Sequence, residues 1–361
     1  MDHHQHHRVG ILTGGGDAPG LNAVIRAFVK RGVGQMGWQV IGIEDSFNGV
    51  LEHPFRVHDL TPRSCKGLLH RGGTILGTTS RGDPFAFGPE KKDRSIEIAR
   101  AVETLDLDGL VIIGGDGTQK IGLRLMTEHG VPVVGVPKTI DNDLSATDQT
   151  FGFQSAVDVA TEAIDRLHTT AEAHDRVMVL EVMGRDAGHI ALHAGLAGGA
   201  DAIIIPEIPY DIDRICKKID RRLAVGRQFT LIVVAEGARA MGGSSTPIGE
   251  DHGVGRILIG GPGEQLARAI SERRPVETRV TVLGHLQRGG SPVAVDRILA
   301  TRYGLGAVDL VAAGKWGRMV ALKNGTITDV DIGEACLVYR YVDPDGPMVR
   351  AARQVGIEFG G

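Results

Sequence analysis

Short blocks of valine, isoleucine and leucine alternate along this chain with stretches whose apolar residues return every three or four positions. Val9 to Thr13 is the first block. It ends in GGGDAPG, after which Leu21, Val24, Ile25 and Phe28 take the i, i+3, i+4 and i+7 positions of an amphipathic helix. Trp38 to Ile43 is a second buried-strand candidate. Leu107 to Ile113 runs into GGDGT and a helix carrying Ile121 and Leu125, and Val131 to Val136 meets PKTIDND. Apolar runs separated by helical periods, without tight hairpin signals, predict parallel strands covered on both faces, an α/β fold. Ligands of such sheets collect beyond the carboxyl ends of the strands. Three loops at such ends carry Asp17, Asp116, Asp141 and Asp143.

The pattern then repeats with different loops. Ala156, Val159, Ala160, Ala163 and Leu167 form a helical stripe, followed by strand-like VMVLEVM at 177–183, AIII at 202–205 and FTLIVVAEG at 229–237. A second α/β domain of about 130 residues fits this stretch. GGSSTPIGEDHGVG at 242–255 has the composition of an exposed loop. Residues 292–313 read as a helix with Val295, Ile298 and Leu299 on one face. NGT at 324–326 and the alternating LVYRYV at 337–342 suggest a hairpin or an edge extension, without chemistry of its own.

Length and composition narrow this picture. A chain of 361 residues can bury two adjoining cores. Its 52 glycines follow no collagen-like period, so they mark turns or places where backbone approaches a ligand. A formal charge of -4 gives no whole-chain attraction to nucleic acid or an anionic membrane, so any phosphate site must be local. The cysteines Cys65, Cys216 and Cys336 lie far apart and form no CxxC pair, which suggests neither a disulfide framework nor a zinc knuckle and fits a reduced, cytoplasmic setting. No run has the length of a membrane helix, and the start, MDHHQHHRVG, lacks the features of a signal peptide. His3, His4, His6 and His7 are read as a polar tail or tag remnant.

The loops carry the chemistry. GGGDAPG at 14–20 sits between strand and helix, where backbone N–H groups and the helix N-terminus favour an anion. Its spacing is neither that of a dinucleotide fingerprint nor that of a Walker loop. GGDGT at 114–118 repeats the arrangement, and Asp116 fits a hard cation such as Mg²⁺ as well as a helix cap. PKTIDND gathers Lys138, Thr139, Asp141 and Asp143 in one loop. Its carboxylates suit a general base beside a metal-bound phosphoryl group, although both also suit turns and caps. MGRDAGH exposes Arg185, AEGA exposes Glu236, and GHLQRGG carries His285 and Arg288. Arginines pair with terminal phosphates and a glutamate accepts from sugar hydroxyls.

In that order these segments resemble the 6-phosphofructokinases: GGGDAPGLNAVIR, GGTILGTTSRG, GGDGT, PKTIDND, EVMGRDAGH and VLGHLQRGGSP, spread over about 300 residues. The resemblance implies two similar Rossmann-like three-layer domains with mainly parallel sheets and an active-site cleft between them. Residues 8–152 plus about 289–345 would form the ATP- and magnesium-binding domain, and residues 153–288 the fructose 6-phosphate-binding domain. It further implies Gly16, Arg81, Gly117 and Thr118 at the donor, Asp116 and Asp143 at Mg²⁺, and Asp141 as base with Thr139 at the sugar 1-hydroxyl. Met183, Gly184 and Arg185 would meet the sugar and the phosphate in flight, Glu236 the sugar hydroxyls, and His285 and Arg288 the 6-phosphate. Arg176 and Arg279 match arginines that reach in from a neighbouring subunit, so a homotetramer or homodimer is expected.

The family includes ATP and pyrophosphate users. Glycine at 117 resembles the ATP enzymes and lysine at 138 the pyrophosphate enzymes, and the GGDGT/PKTIDND combination as a whole resembles ATP-dependent members of the family. Gly117 is the stronger marker, since an aspartate there would place bulk and negative charge where the α-phosphate of ATP must lie. The expected activity is therefore phosphorylation of fructose 6-phosphate by Mg-ATP to fructose 1,6-bisphosphate, with the pyrophosphate-dependent reaction and an inactive regulatory homologue as alternatives. Arg26 and Lys30 resemble effector-site residues, but His168 stands where an arginine is common, so no conventional effector response is expected.

Overall fold

The protein's structure, a computed structural model, describes residues 7–242 and 261–361. His3, His4 and His6 and all but the first residue of the 242–255 stretch lie outside the described residues. The chain divides into two compact units. One takes the chain up to Ser155 and again from Arg288 to Tyr339, and the other takes Ala156–Gln287 and Arg340–Gly361.

The first unit opens with β1 (Arg8–Thr13), α1 (Leu21–Gly32), β2 (Gln39–Ile43), α2 (Asn48–Leu51), β3 (Val57–Leu60) and α3 (Ser95–Thr104). It continues through β4 (Gly109–Gly114), α4 (Asp116–His129), β5 (Val133–Thr139) and β6 (Phe151–Gly152). Its eight-stranded sheet is completed by strands from near the C-terminus and runs β12-β11-β5-β4-β1-β2-β3, with β6 on the end of β5; β11 is Arg318–Lys323 and β12 is Thr326–Asp331. The central strands are parallel, with Ile11 opposite Val111 and Ile113 opposite Val136. Strand order reverses at β1: the chain first adds β2 on one side and later β4 on the other. Between the carboxyl ends of β1 and β4 lies the crevice that such a switch point opens.

The strands read as unbroken apolar runs because both faces are covered. Ile11, Val111 and Ile113 pack with Val24, Ile25 and Phe28 of α1 and with Tyr303, Ala307 and Val308 of α9 (Ala294–Ala312). One residue out of phase, Leu12 and Ile112 pack with Ile98 of α3, Leu125 of α4 and Ile332 of α10 (Ile332–Leu337). Helices α1 and α9 meet closely enough that a Cβ at Gly304 would stand 2.6 Å from the Val24 carbonyl oxygen. No larger residue fits that crossing.

The second unit is entered along α5 (Phe153–His174) and contains β7 (Val177–Val182), α6 (His189–Ala197), β8 (Ala202–Ile204), α7 (Ile212–Ala224), β9 (Thr230–Ala235), α8 (Pro262–Arg273) and β10 (Thr278–Val282). Its four-stranded sheet, β10-β7-β9-β8, is parallel throughout. Ile215 and Ile219 of α7 and Leu266 and Ile270 of α8 cover one face. The last helix, α11 (Pro347–Gln354), buries Val349 and Ala352. Glu358 then bridges Ala202 in parallel, so the final residues lengthen the edge beside β8.

The sheet of the first unit is mainly parallel, as expected, with β2–β3 and β11–β12 antiparallel; the latter is the hairpin expected at NGT and turns at Asn324 and Gly325, both at positive φ. Two sequence expectations need correction. LVYRYV forms no strand. Leu337 ends α10, and Tyr339 makes one isolated bridge to Leu144. In α9, Leu299 is buried but Val295 and Ile298 are 53% and 61% exposed, so the buried face is the one carrying Tyr303 and Ala307.

Candidate active site

A pocket of about 520 Å³ opens at the switch point of the first unit. Gly15 and Gly16 line it from the loop after β1, and Gly115, Gly117 and Thr118 from the start of α4. Thr79, Ser80, Gly82 and Asp83 come from the loop of the SRG segment, and Lys138, Thr139 and Arg288 complete the side nearest PKTIDND. The two glycine loops are tied together. The Gly14 N–H donates to the Ile113 carbonyl at 2.9 Å, and a Cβ on Gly14 would come within 2.7 Å of the Thr118 hydroxyl oxygen. Gly15 takes φ +78° and donates to the Thr79 carbonyl at 3.1 Å. Glycine is needed here for conformation at 15 and for space at 14.

Four cations, Lys120, Arg124, Lys138 and Arg288, line this pocket beside Asp83, and two of them stand against the first glycine loop. Lys138 is buried, and its Nζ donates to the Gly16 carbonyl at 2.5 Å. Burial, then the nearby Arg288 charge, pulls its pKa down from 10.5 to about 8 against the opposing pull of Asp141, Asp17 and Asp143. Arg288 donates to the Asp17 carbonyl at 3.0 Å and lies against Gly16. Thus Arg288 stands with the glycine loop of the first unit. Arg81 is exposed, and its backbone N–H donates to the Thr79 hydroxyl at 3.1 Å.

Gly117 differs from the other loop glycines: a Cβ there would meet no atom within 4 Å. Its open side belongs to the pocket. Asp116, the first residue of α4, accepts hydrogen bonds on Oδ2 from Lys120 Nζ at 2.8 Å and from the Tyr339 hydroxyl at 2.7 Å. Thr139 is buried and its hydroxyl accepts from the Asp141 N–H at 3.0 Å. Asn142, at φ +53°, accepts from the Thr150 N–H, which shapes the turn that carries Asp141 and Asp143. Both aspartates are partly exposed. Among the described residues no group of three or more His, Cys, Asp or Glu side chains forms a ready metal cage.

In the second unit, five of the expected residues gather at the carboxyl edge of the sheet. Met183, Gly184 and Arg185 follow β7, Glu236 follows β9 with its N–H on the Val182 carbonyl, and His285 lies in a 3-10 turn after β10. Gly184 takes φ +131°, and the Gly237 N–H holds its carbonyl. Arg185 is largely exposed, with Nε 3.1 Å from Asp186. Arg176 and Arg279 are elsewhere. They stand at the amino ends of β7 and β10, a strand length of about 20 Å away, and share Glu277 as ion-pair partner.

The sequence points to Lys138 both as a member of the PKTIDND loop and as a donor marker, but not to Thr79, Ser80, Asp83, Lys120 and Arg124 as pocket residues. Lys120 and Arg124 were discoverable, since four and eight residues past Asp116 they share its helical face. Tyr339, 223 positions from Asp116, carried no local signal.

An open α/β sheet with two glycine loops, a buried lysine and further cations at its switch point defines a phosphate-binding protein of the nucleotide-handling class. Comparison narrows this further. A family model described as phosphofructokinase matches residues 8–311. The ATP-dependent 6-phosphofructokinase of Chloroflexus aurantiacus (strain J-10-fl) is 54% identical over 360 residues, covering 98% of both chains. The pyrophosphate–fructose 6-phosphate 1-phosphotransferase of Streptomyces coelicolor is 49% identical over 98% of this chain and all of its own. Pichia pastoris phosphofructokinase, solved in the T-state, is 32% identical with a TM-score of 0.80 over 93% of this chain, which spans only 38% of that longer one. This chain belongs to the phosphofructokinase family.

Proposed function

We propose that the protein is an ATP-dependent 6-phosphofructokinase, transferring the γ-phosphoryl group of Mg-ATP to the 1-hydroxyl of fructose 6-phosphate in glycolysis. The observation that carries the donor choice is Gly117: the space around it is open, and no carboxylate stands beside the pocket at that position. In this reading Gly16, Gly117 and Thr118 line the donor phosphates and Arg81 reaches toward the transferred group. The first unit is the nucleotide-binding domain and the second the sugar phosphate-binding domain.

The residues present fit magnesium. Mg²⁺ takes one or two carboxylates and completes its shell with water and substrate phosphate oxygens, so it needs no preassembled cage. Asp116 and Asp143 are the carboxylates that would hold it. When bound, the ion would offset charge on the phosphoryl oxygens. Asp141 accepts the proton of the sugar 1-hydroxyl, whose oxygen forms the new bond to phosphorus as the bond to the ADP oxygen breaks. Thr139 orients Asp141 through the hydrogen bond to its backbone. Arg185 meets the phosphoryl group in transfer, Met183, Gly184 and Glu236 the sugar, and His285 and Arg288 its 6-phosphate.

Arg176 and Arg279 serve the active site of a neighbouring copy in a homotetramer or homodimer, a reading supported by their position at the edge of the sheet opposite Arg185. A cytoplasmic location suits the reaction, and among the described residues no helix is long and apolar enough to cross a membrane. Buried Lys138 favours a second reading, pyrophosphate as donor, because a lysine so placed neutralises a compact diphosphate. Initial rates with fructose 6-phosphate, Mg²⁺ and either ATP or pyrophosphate decide between them. Faster turnover with ATP is expected, and the reverse order would overturn the assignment.

A further inference from the structure

The segment after α10 carries one side chain into the phosphate-binding end of the first unit. Ile332 and Ala335 of α10 are fully buried, Ile332 in the cluster that includes Leu125 of α4, which fixes the helix against α4. The chain then turns alongside the PKTIDND loop: Tyr339 bridges Leu144, one residue beyond Asp143, and the Ser145 hydroxyl donates to the Ala335 carbonyl. From this position the Tyr339 hydroxyl donates to Oδ2 of Asp116 at 2.7 Å, while its ring lies 5.2 Å from the Lys120 ammonium. Lys120 donates to the same oxygen at 2.8 Å. Neither of these donors lies on Oδ1.

Asp116 begins α4, where a short carboxylate can also turn back onto the first N–H groups of its helix. Two donors converging on Oδ2 oppose that rotamer. We propose that Tyr339 is a positioning residue for the metal site: it holds the Asp116 carboxylate with Oδ1 presented to a divalent cation, and so sets the protein's affinity for the metal–nucleotide complex. The inference rests on the reading of Asp116 as a magnesium ligand. A partner that orients a metal-ligating carboxylate typically carries about 10-fold or more of metal affinity.

Tyr339→Phe removes only the hydroxyl and keeps both the ring facing Lys120 and the backbone bridge. Mn²⁺ binding by the intact enzyme in the presence of ADP, followed by electron paramagnetic resonance, is compared for wild type, Tyr339→Phe and Asp116→Asn, alongside melting temperatures and metal-free ADP binding. Tyr339→Phe is expected to weaken Mn²⁺ binding about 10-fold with the melting temperature and metal-free ADP binding close to wild type. The Mg²⁺ concentration for half-maximal rate should rise while kcat at saturating Mg²⁺ is kept. If Asp116→Asn loses Mn²⁺ and Tyr339→Phe binds it as tightly as wild type, the role of Tyr339 is overturned and the metal assignment stands. If Asp116→Asn also binds normally, the metal assignment fails and takes the role of Tyr339 with it. A Tyr339→Phe protein that melts early and loses metal-free ADP binding to the same extent would reduce Tyr339 to a structural tie.

Discussion

Substituting Gly117 by aspartate isolates the donor question. The backbone there is ordinary helix at the second position of α4, and a Cβ would meet nothing within 4 Å, so the change needs no rearrangement. It should leave folding intact or slightly improved, since glycine costs a helix up to about 1 kcal/mol and a carboxylate in the first turn adds about 0.3–1 kcal/mol. Its effect on ATP is different. A carboxylate about 5 Å from a phosphate charge, at an effective dielectric near 20, costs roughly 3 kcal/mol, which is about 10²-fold in rate or affinity. Pyrophosphate has no third phosphate to displace and should lose far less. Steady-state kcat/KM for ATP and for pyrophosphate, measured beside thermal unfolding, reads both terms. A folded Gly117→Asp enzyme with undiminished kcat/KM for ATP would refute the view that open space at this position selects the donor.

Asp141→Asn should keep fructose 6-phosphate binding while lowering turnover by about 10²-fold or more; equal turnover would remove Asp141 from the base role. Lys138 makes a pH prediction. Its folded pKa of about 8 lies below the ordinary 10.5, so between these values the unfolded chain holds more protons and the group's contribution to stability rises with pH. A phosphate placed beside it raises the pKa again, so donor binding near pH 8 to 9 should take up a proton. Calorimetry in buffers of different ionisation heat would detect that uptake, and Lys138→Met should abolish it. Mixed subunits of Arg176→Ala and Asp141→Asn should recover part of the lost activity, because each supplies what the other's site lacks; no recovery after verified exchange would count against a shared site.

The alternation of apolar runs with helical periods determined the α/β class, and the strands ending at Thr13, Gly114 and Thr139 fall where those runs meet GGGDAPG, GGDGT and PKTIDND. Parallel strands buried on both faces must be apolar throughout and must end in polar loops, so these elements carry a local signature. Where burial was one-sided the reading failed. β3 and β10 have few buried residues and leave no apolar run to read, and Val295 and Ile298, which share one apolar face with Leu299 in the sequence, are turned outward by the helix.

Which loops share a pocket was decided by tertiary structure alone. Strand order brings the loops after β1, β4 and β5 together although about 100 residues separate the first from the second. Burial, absent from any spacing rule, sets Lys138 near pH 8, and packing of α10 on α4 delivers Tyr339 to Asp116. Local sequence encodes the period of an element and the chemistry of a loop because both depend on neighbours along the chain. Desolvation and long-range hydrogen bonds depend on neighbours in space, which the chain acquires only on folding.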